Sequence, residues 1–204
     1  MRKIALLLCG TVLVLSGCVG IDSTLTLKDD GSGTLSLTYR VSQLVANLGL
    51  SSTGSAAIPL PLTRPDFDRA LQSAKGKVRL TSFSRSENEK DITIAVGLAF
   101  DSFSALAGLE AFHDAQLALS TSGQQSSFHQ VIARAPAQPL ADSTLQMFDA
   151  LFSDYTLSFV LQAPRPIQSS TVGTLSADKK TLTYSAPVKD IVTTKADIIM
   201  NAAW

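Results

Sequence analysis

Cysteine, histidine and tryptophan are scarce in this chain, whose 204 residues contain two cysteines, two histidines and one tryptophan. A disulfide framework needs several cysteine pairs, so the sequence excludes one. The chain also has no excess of charge, because it contains 17 basic and 17 acidic residues and no run of basic residues. A nearly neutral surface of this kind excludes nucleic acid as a partner and gives anionic lipid little to attract.

Long apolar runs are absent after residue 20, but the first residues contain a short one. Arg2 and Lys3 precede an apolar run from Ile4 to Leu15. That run is shorter than the ~20 residues that a membrane-spanning helix needs. Its length and flanking charge are typical of the apolar core of a secretory signal peptide. We therefore expect residues 1–17 to direct export and then to be removed.

The run ends in Leu15-Ser16-Gly17-Cys18, which resembles the lipobox of bacterial lipoproteins. The resemblance implies cleavage between Gly17 and Cys18, a diacylglycerol on the Cys18 thiol and an acyl chain, such as palmitate, on the new amino group. Stable anchoring takes more than one chain, because each buried CH₂ contributes only ~0.8 kcal/mol. The alternative is an uncleaved signal anchor with an incidental cysteine.

A lipidated Cys18 tethers residues 18–204 to a membrane of the cell envelope. Cys9 leaves with the signal peptide, so the mature chain keeps no free thiol for a redox or zinc site. Val19, rather than an aspartate, follows the cysteine. In a Gram-negative cell this resembles the signal for export to the outer membrane.

Alternation of apolar and polar residues predicts several antiparallel β-hairpins. The first spans Ile21–Tyr39 and turns at Asp29–Gly33, where glycines allow positive φ. The turn lacks the spaced carboxylates of a calcium-binding EF-hand and the lysine of a phosphate-binding loop. The other predicted strands are Val78–Arg85 with Asp91–Phe100, Gln116–Leu119 with Phe128–Ile132, Tyr155–Leu161, a hairpin turning at Ala177–Lys180, and Lys195–Trp204.

Short helices are predicted between the hairpins from helical periodicity and capping residues. Thr63-Arg64-Pro65-Asp66 is typical of a helix start, Gly76 of a stop, and Asp101-Ser102 of another start. The other two are a segment with Val41, Leu44, Val45 and Leu48, and the segment Ser143–Phe152. The fold class is therefore α+β, with antiparallel β-hairpins packed with three or four short helices in a single domain over residues 18–204.

An apolar, proline-containing segment separates the first two predicted helices. It consists of Ile58, Pro59, Leu60, Pro61 and Leu62. Proline cannot donate to a β-ladder, so the segment is not a regular central strand. Two interpretations are open: an exposed apolar loop that binds a ligand or partner, or an extended cover over the core.

Residues suited to catalysis are few. His113 and His129 belong to no GxSxG, HExxH or HxH motif. Two carboxylate pairs lie in predicted turns, where acidic residues commonly bond the local backbone: Asp29 with Asp30, and Glu87 with Glu89. The sequence predicts a protein that is not an enzyme, with no metal site and no cofactor. A hydrolase using His113 or His129 is the enzymatic alternative.

The order of these elements resembles that of bacterial lipoproteins of the LppM type. The resemblance rests on the lipobox, the hairpin LTLKDDGSGTLSLTYR, the proline-capped helix, the hairpin TSFSRSENEKDITIAVGLAFDSF and the late hairpin TLSADKKTLTYSAPVKDI. It implies a compact α+β domain after the anchor, associated with binding lipid or glycolipid, and supplies no catalytic residues. LppM-type proteins also carry a C-terminal membrane helix, which we expect this sequence to lack.

These features predict a non-enzymatic lipoprotein that binds a lipid, another apolar ligand or a partner protein at the cell envelope. The runner-up is a structural subunit of an envelope complex that docks through a sheet edge, for example Lys195–Trp204.

Overall fold

The computed structural model of the chain describes residues 19–43, 61–138 and 140–204. Within these ranges the protein has the α+β fold that the sequence predicts, with eleven strands in two sheets and four short α-helices. The strands are β1 (Val19–Leu27), β2 (Gly33–Ser42), β3 (Val78–Glu87), β4 (Asp91–Phe100), β5 (Ala118–Ser122), β6 (Gln125–Ala133), β7 (Thr156–Gln162), β8 (Ser169–Ser170), β9 (Thr174–Leu175), β10 (Thr181–Pro187) and β11 (Ile198–Ala203). The helices are α1 (Arg64–Leu71), α2 (Phe103–Ala107), α3 (Asp142–Phe152) and α4 (Val188–Val192).

The large sheet has seven strands in the order β3-β4-β2-β1-β7-β10-β9. It contains the predicted hairpins β1–β2, β3–β4 and β9–β10, which are confirmed. All neighbouring strands in it are antiparallel except β1 and β7, which run parallel from Ile21↔Leu157 to Thr26↔Gln162. This parallel pair joins the first described residues to the last third of the chain.

The small sheet has four strands in the order β5-β6-β11-β8. The strand predicted at the end of the chain is confirmed over Ile198–Ala203. The prediction that this strand is a free sheet edge, open for docking, is wrong. Strand β11 pairs with β6 on one side and with Ser169–Ser170 on the other. The chain returns beside β11 after the proline-interrupted segment that follows β7.

Capping contacts confirm two predicted helix starts. Oδ2 of Asp66 accepts hydrogen bonds from the backbone N–H (3.1 Å) and the hydroxyl (2.6 Å) of Thr63, which precedes α1. Ser102 precedes α2, and its hydroxyl accepts a hydrogen bond from the N–H of Ala105 at 3.3 Å. These side chains partner polar groups that the first turn of a helix cannot satisfy internally.

One helix prediction needs correction, and the structure contains one helix that the sequence does not predict. Val41, assigned to the first helix, is a fully buried residue of β2, because that strand continues through Ser42. The other residues of this predicted helix lie outside the described residues. The sequence pattern does not predict α4, because its five residues are too few to show helical periodicity.

Buried apolar residues form three clusters against the large sheet. Cluster one lies between the two sheets and α2, cluster two lies beneath α1, and cluster three lies beside α4. Their members include Leu25, Leu35, Phe100, Phe103, Phe128 and Trp204 in cluster one, Tyr39, Val41, Phe67 and Ile94 in cluster two, and Tyr155, Leu157, Val188 and Ile191 in cluster three. Because cluster one contains residues of both sheets, the sheets share one core.

Candidate functional site

A row of six residues crosses the middle of the large sheet, one from each of six neighbouring strands. From β3 to β10 this central row runs Phe83, Val96, Leu37, Ser23, Phe159 and Tyr184. Neighbouring strands lie ~4.8 Å apart, so the row is ~24 Å long. Val96 is buried, and the other five residues are only half-buried.

The central row is half-buried because it lies at the seam between the three clusters. On one side of it Leu25 pairs with Leu35, and both are buried in cluster one. On the other side Ile21 pairs with Tyr39, and Ile21 packs against both cluster two and cluster three. Apolar groups left partly in water at such a seam gain free energy when another apolar group covers them.

Two groups in the central row are polar. Ser23 lies between Leu37 and Phe159 in the sheet register. Tyr184 pairs with Phe159, and burial raises the pKa of its phenol. The Tyr184 hydroxyl therefore stays protonated at neutral pH. It and the Ser23 hydroxyl can each donate one hydrogen bond to a polar group of a bound molecule.

The predicted binding loop is described only at its end. Ile58, Pro59 and Leu60 lie outside the described residues, whereas Pro61 and Leu62 are half-buried. The Tyr39 hydroxyl donates a hydrogen bond to the carbonyl of Pro61, and Leu62 packs against cluster two. Burial, and secondarily the charge of Asp66, raises the pKa of Tyr39, so its hydroxyl remains a donor. The binding role of the segment stays a prediction.

A polar cluster surrounds Tyr155 at the beginning of β1. The Tyr155 hydroxyl donates a hydrogen bond to Oδ1 of Asp91, a carboxylate that is 6% exposed. Burial, followed by this hydrogen bond, raises the pKa of Tyr155. The backbone N–H of Asp91 also donates to Oδ1 of Asn88, at 2.7 Å.

Two cations lie over the ring of Tyr155. The Arg40 guanidinium carbon is 5.1 Å from the ring centroid, and Nζ of Lys90 is 5.9 Å from it. Nζ of Lys90 also forms an ion pair with Asp154 at 2.9 Å, and this contact lowers the pKa of the Asp154 carboxyl. Gly20 permits this packing, because a Cβ there would lie 3.1 Å from Cδ1 of Tyr155 and 3.4 Å from Nη2 of Arg40.

The predicted lipidation and cleavage residues, Cys18 and Gly17, lie outside the described residues. Strand β1 begins at Val19, directly after the cysteine. Among the described residues, no helix has the length and apolar character to cross a membrane.

The structure does not bring the two histidines into a shared arrangement with a carboxylate. His113 is exposed after a short 3₁₀ turn, and its backbone N–H donates to Glu110. Nδ1 of His129 is 2.8 Å from the side-chain oxygen of Asn201 on the neighbouring strand. Within residues 19–43, 61–138 and 140–204, no three His, Cys, Asp or Glu side chains are grouped so that they could hold a metal ion.

Of the acidic pairs in the predicted turns, Asp30 bonds the backbone of its own turn, whereas Asp29 and Glu87 contact arginine side chains. Oδ1 of Asp30 accepts the backbone N–H of Ser32 at 2.9 Å, and its hydrogen bonds with Ser32 lower the pKa of Asp30. Asp29 lies 3.1 Å from Nε of Arg165, and Glu87 lies 2.5 Å from Nη2 of Arg85.

Two cavities open elsewhere on the described surface. One of about 290 Å³ lies between the end of α1 and α2. One of about 140 Å³ lies where the β1–β2 turn meets Arg165 and Trp204. The walls of the first combine serine and lysine side chains with Leu109, and those of the second combine Arg165 with Leu119 and Trp204. Both volumes lie below the ~300–1,000 Å³ that is usual for a ligand pocket.

The sequence pattern cannot find the central row. Alternation places Leu37 and Phe159 on core-facing positions, together with residues that are fully buried. Of the phenylalanines, Phe67, Phe100, Phe103 and Phe128 fill the core, whereas Phe83 and Phe159 are half-buried in the row. The difference depends on how the sheets and helices cover the large sheet, which no local pattern records.

Comparisons with known proteins agree with the fold. Neither a protein-family model nor a curated protein matches the sequence. Among solved structures, the chain is similar to the folded domain of the LppM protein of Mycobacterium tuberculosis, determined by NMR. The two have 12% sequence identity and a TM-score of 0.51, and the match covers 91% of this chain and 88% of that chain. The likeness to the LppM type is therefore confirmed at the level of the fold.

Proposed function

We propose that this chain is a membrane-anchored bacterial lipoprotein whose domain, without enzymatic activity, binds a lipid or another apolar ligand along the central row. The main observation behind the proposal is that Leu37 and Phe159 are only half-buried. Both lie on a sheet face whose other apolar residues are largely buried. A hydrocarbon chain laid on the row would complete the burial of that face.

The remaining support comes from the sequence and the fold. The apolar leader ending in Cys18 resembles a lipoprotein signal, and the domain that follows has the fold of the LppM folded domain. A lipid anchor would hold the domain where apolar ligands are concentrated, in the membrane of the cell envelope. Ser23 and Tyr184 place hydroxyls beside the apolar groups, as a ligand with a polar headgroup requires.

Native mass spectrometry tests the ligand. The chain Val19–Trp204, exported without the lipid anchor and purified from a bacterial envelope, is measured under native and mildly denaturing conditions. We expect an additional lipid-sized mass in the native spectrum that is lost on denaturation. A domain without bound mass, which also extracts no lipid from phospholipid vesicles, would refute the ligand and favour a structural subunit.

Three matched variants locate the ligand. Leu37→Thr and Phe159→Thr remove apolar area from the central row while keeping a residue that suits a strand. Leu175→Thr removes apolar area from another half-buried strand position, outside the row. We expect the bound lipid mass to fall at least about tenfold in the first two variants and to persist in the third. Equal loss in all three would place the ligand elsewhere.

A further inference from the structure

The register of the large sheet brings one set of turns to the end where β1 begins. Ser42 of β2 pairs with Asp91, so the turn Asn88–Lys90 lies at that end. Ile21 of β1 pairs with Leu157, so Asp154, just before β7, lies there too. At the opposite end Thr26 pairs with Gln162, and Gln162 pairs with Thr181.

Cys18, the proposed anchor residue, is separated by only one or two residues from the end of the sheet where β1 begins. Gly20 is two residues after Cys18, so their Cα atoms are at most ~7 Å apart. The ring of Tyr155 lies against Gly20, and Lys90 lies over that ring. In contrast, β1 runs nine residues to Leu27, which places the opposite end ~26 Å farther along the strand.

The first residues of β1 are also fixed within the sheet. Val19 pairs with Val41, and Gly20 pairs with Arg40. Because strand pairing starts directly after the cysteine, no linker remains about which the domain could rotate freely.

We propose that the turn Asn88–Lys90, together with Arg40 and Asp154, forms the face of the domain that lies on the headgroups of the bilayer. This inference rests on the proposed lipid anchor at Cys18. Charge attraction is not its cause, because Lys90 is paired with Asp154, whose carboxylate also interacts with the charge of Arg40. Lys90 and Asp154 are 59% and 71% exposed, so they are free to contact headgroups.

The orientation has a consequence for the ligand. Ile21, which packs against clusters two and three, directly follows Gly20. The central row crosses β1 at Ser23, two residues beyond Ile21. A lipid in the bilayer would therefore reach the row from this end without crossing the small sheet.

Fluorescence quenching on vesicles tests the orientation. The full lipidated protein, purified from a bacterial membrane, contains no free thiol once Cys18 is acylated and Cys9 is removed. Glu89→Cys and Lys180→Cys therefore give single labelling sites at the two ends of the sheet. Each variant carries a bimane label in phosphatidylcholine vesicles that contain a headgroup nitroxide. We expect quenching to be at least about threefold stronger at residue 89 than at residue 180.

The vesicle experiment separates the two proposals. Protein that fails to float with the vesicles would refute the anchor and, with it, the orientation. Protein that floats but is quenched equally at the two sites would refute the orientation alone. A control protein has twelve Gly and Ser residues inserted after Cys18, which form a flexible linker with an end-to-end distance of roughly 20 Å. The difference between the sites should then disappear, and its persistence would contradict the tether as the cause.

Discussion

Tyr155 and Asp91 are 64 residues apart in sequence, yet the Tyr155 hydroxyl donates a hydrogen bond to the buried Asp91 carboxylate. Asp91 opens β4 and Tyr155 precedes β7, so the contact ties two strands that are not neighbours in the sheet. A buried carboxylate is costly unless it is hydrogen-bonded. The Tyr155 hydroxyl therefore offsets part of the cost of burying the Asp91 carboxylate.

Tyr155→Phe should lower the free energy of unfolding by about 1.5–3 kcal/mol, because it leaves a charged acceptor without this donor. Urea denaturation measures the loss. Tyr184→Phe is the control, since Tyr184 is half-buried and its hydroxyl has no hydrogen-bond partner among the described residues. Adding Asp91→Asn to Tyr155→Phe should recover part of the loss, because a neutral amide is cheaper to bury. Equal losses in the two tyrosine variants would contradict the argument.

The burial of Tyr39 and Tyr155 predicts that the folded domain loses stability at alkaline pH. Burial raises the pKa of Tyr39 and of Tyr155 above their ordinary value of 10.0. The unfolded chain therefore loses these protons first as pH rises. The stabilisation is complete below about pH 10 and declines above it, by up to ~1.4 kcal/mol per pH unit for each tyrosine.

Urea denaturation at several pH values between about 8 and 11 tests this dependence. Lysines also titrate in this range, so the informative quantity is the difference in slope between the natural chain and a variant. Tyr39→Phe and Tyr155→Phe should each decline less steeply above pH 10 than the natural chain. Parallel declines would mean that neither tyrosine is responsible.

Local patterns predict much of this fold because most of its strands pair with near neighbours. The turn Asp29–Gly33, the capped start of α1 and the alternation of β4 each carry their own signal within a few residues. The parallel contact between β1 and β7 carries none, because its paired residues, such as Thr26 and Gln162, are 136 positions apart in sequence. The central row depends on that contact, which is why its half-exposure cannot be read from sequence.

The two glycines of the first turn show the limit of local reasoning. Gly31 has a φ of 78°, which glycine adopts without strain, as the turn pattern predicts. Gly33 has no positive φ and is required for space. It lies in β2 between Leu27 of β1 and Phe100 of β4. Its role becomes visible only when the neighbouring strands are in place.

Gly33→Ala should therefore lower the free energy of unfolding by more than about 2 kcal/mol. A Cβ at residue 33 would overlap the backbone carbonyl of Thr26 and meet the ring of Phe100. The carbonyl belongs to the paired strand and cannot move without disturbing the ladder. Gly31→Asn is the control, because nothing lies within 4 Å of a Cβ there and asparagine tolerates a positive φ. Thermal denaturation that ranks the control as the worse variant would refute this explanation.

The packing of Phe103 between the two sheets predicts that the sheets unfold together. Phe103 lies on α2, with its ring centroid 6.5 Å from that of Phe100 in the large sheet and 6.0 Å from that of Phe128 in the small sheet. Phe103→Ala should cost about 3–5 kcal/mol, because it leaves a cavity at the junction of both sheets. Phe83→Ala is the matched control, since Phe83 is half-buried and lies outside this junction.

Trp204 reports this unfolding, because the single tryptophan is buried in cluster one beside the small sheet. In urea, its fluorescence and the far-UV circular dichroism of the whole chain should give coincident transitions. Phe103→Ala should shift both transitions together and farther than Phe83→Ala does. A Trp204 transition that separates from the circular dichroism would mean that the small sheet unfolds alone, and that Phe103 packs against both sheets without coupling them.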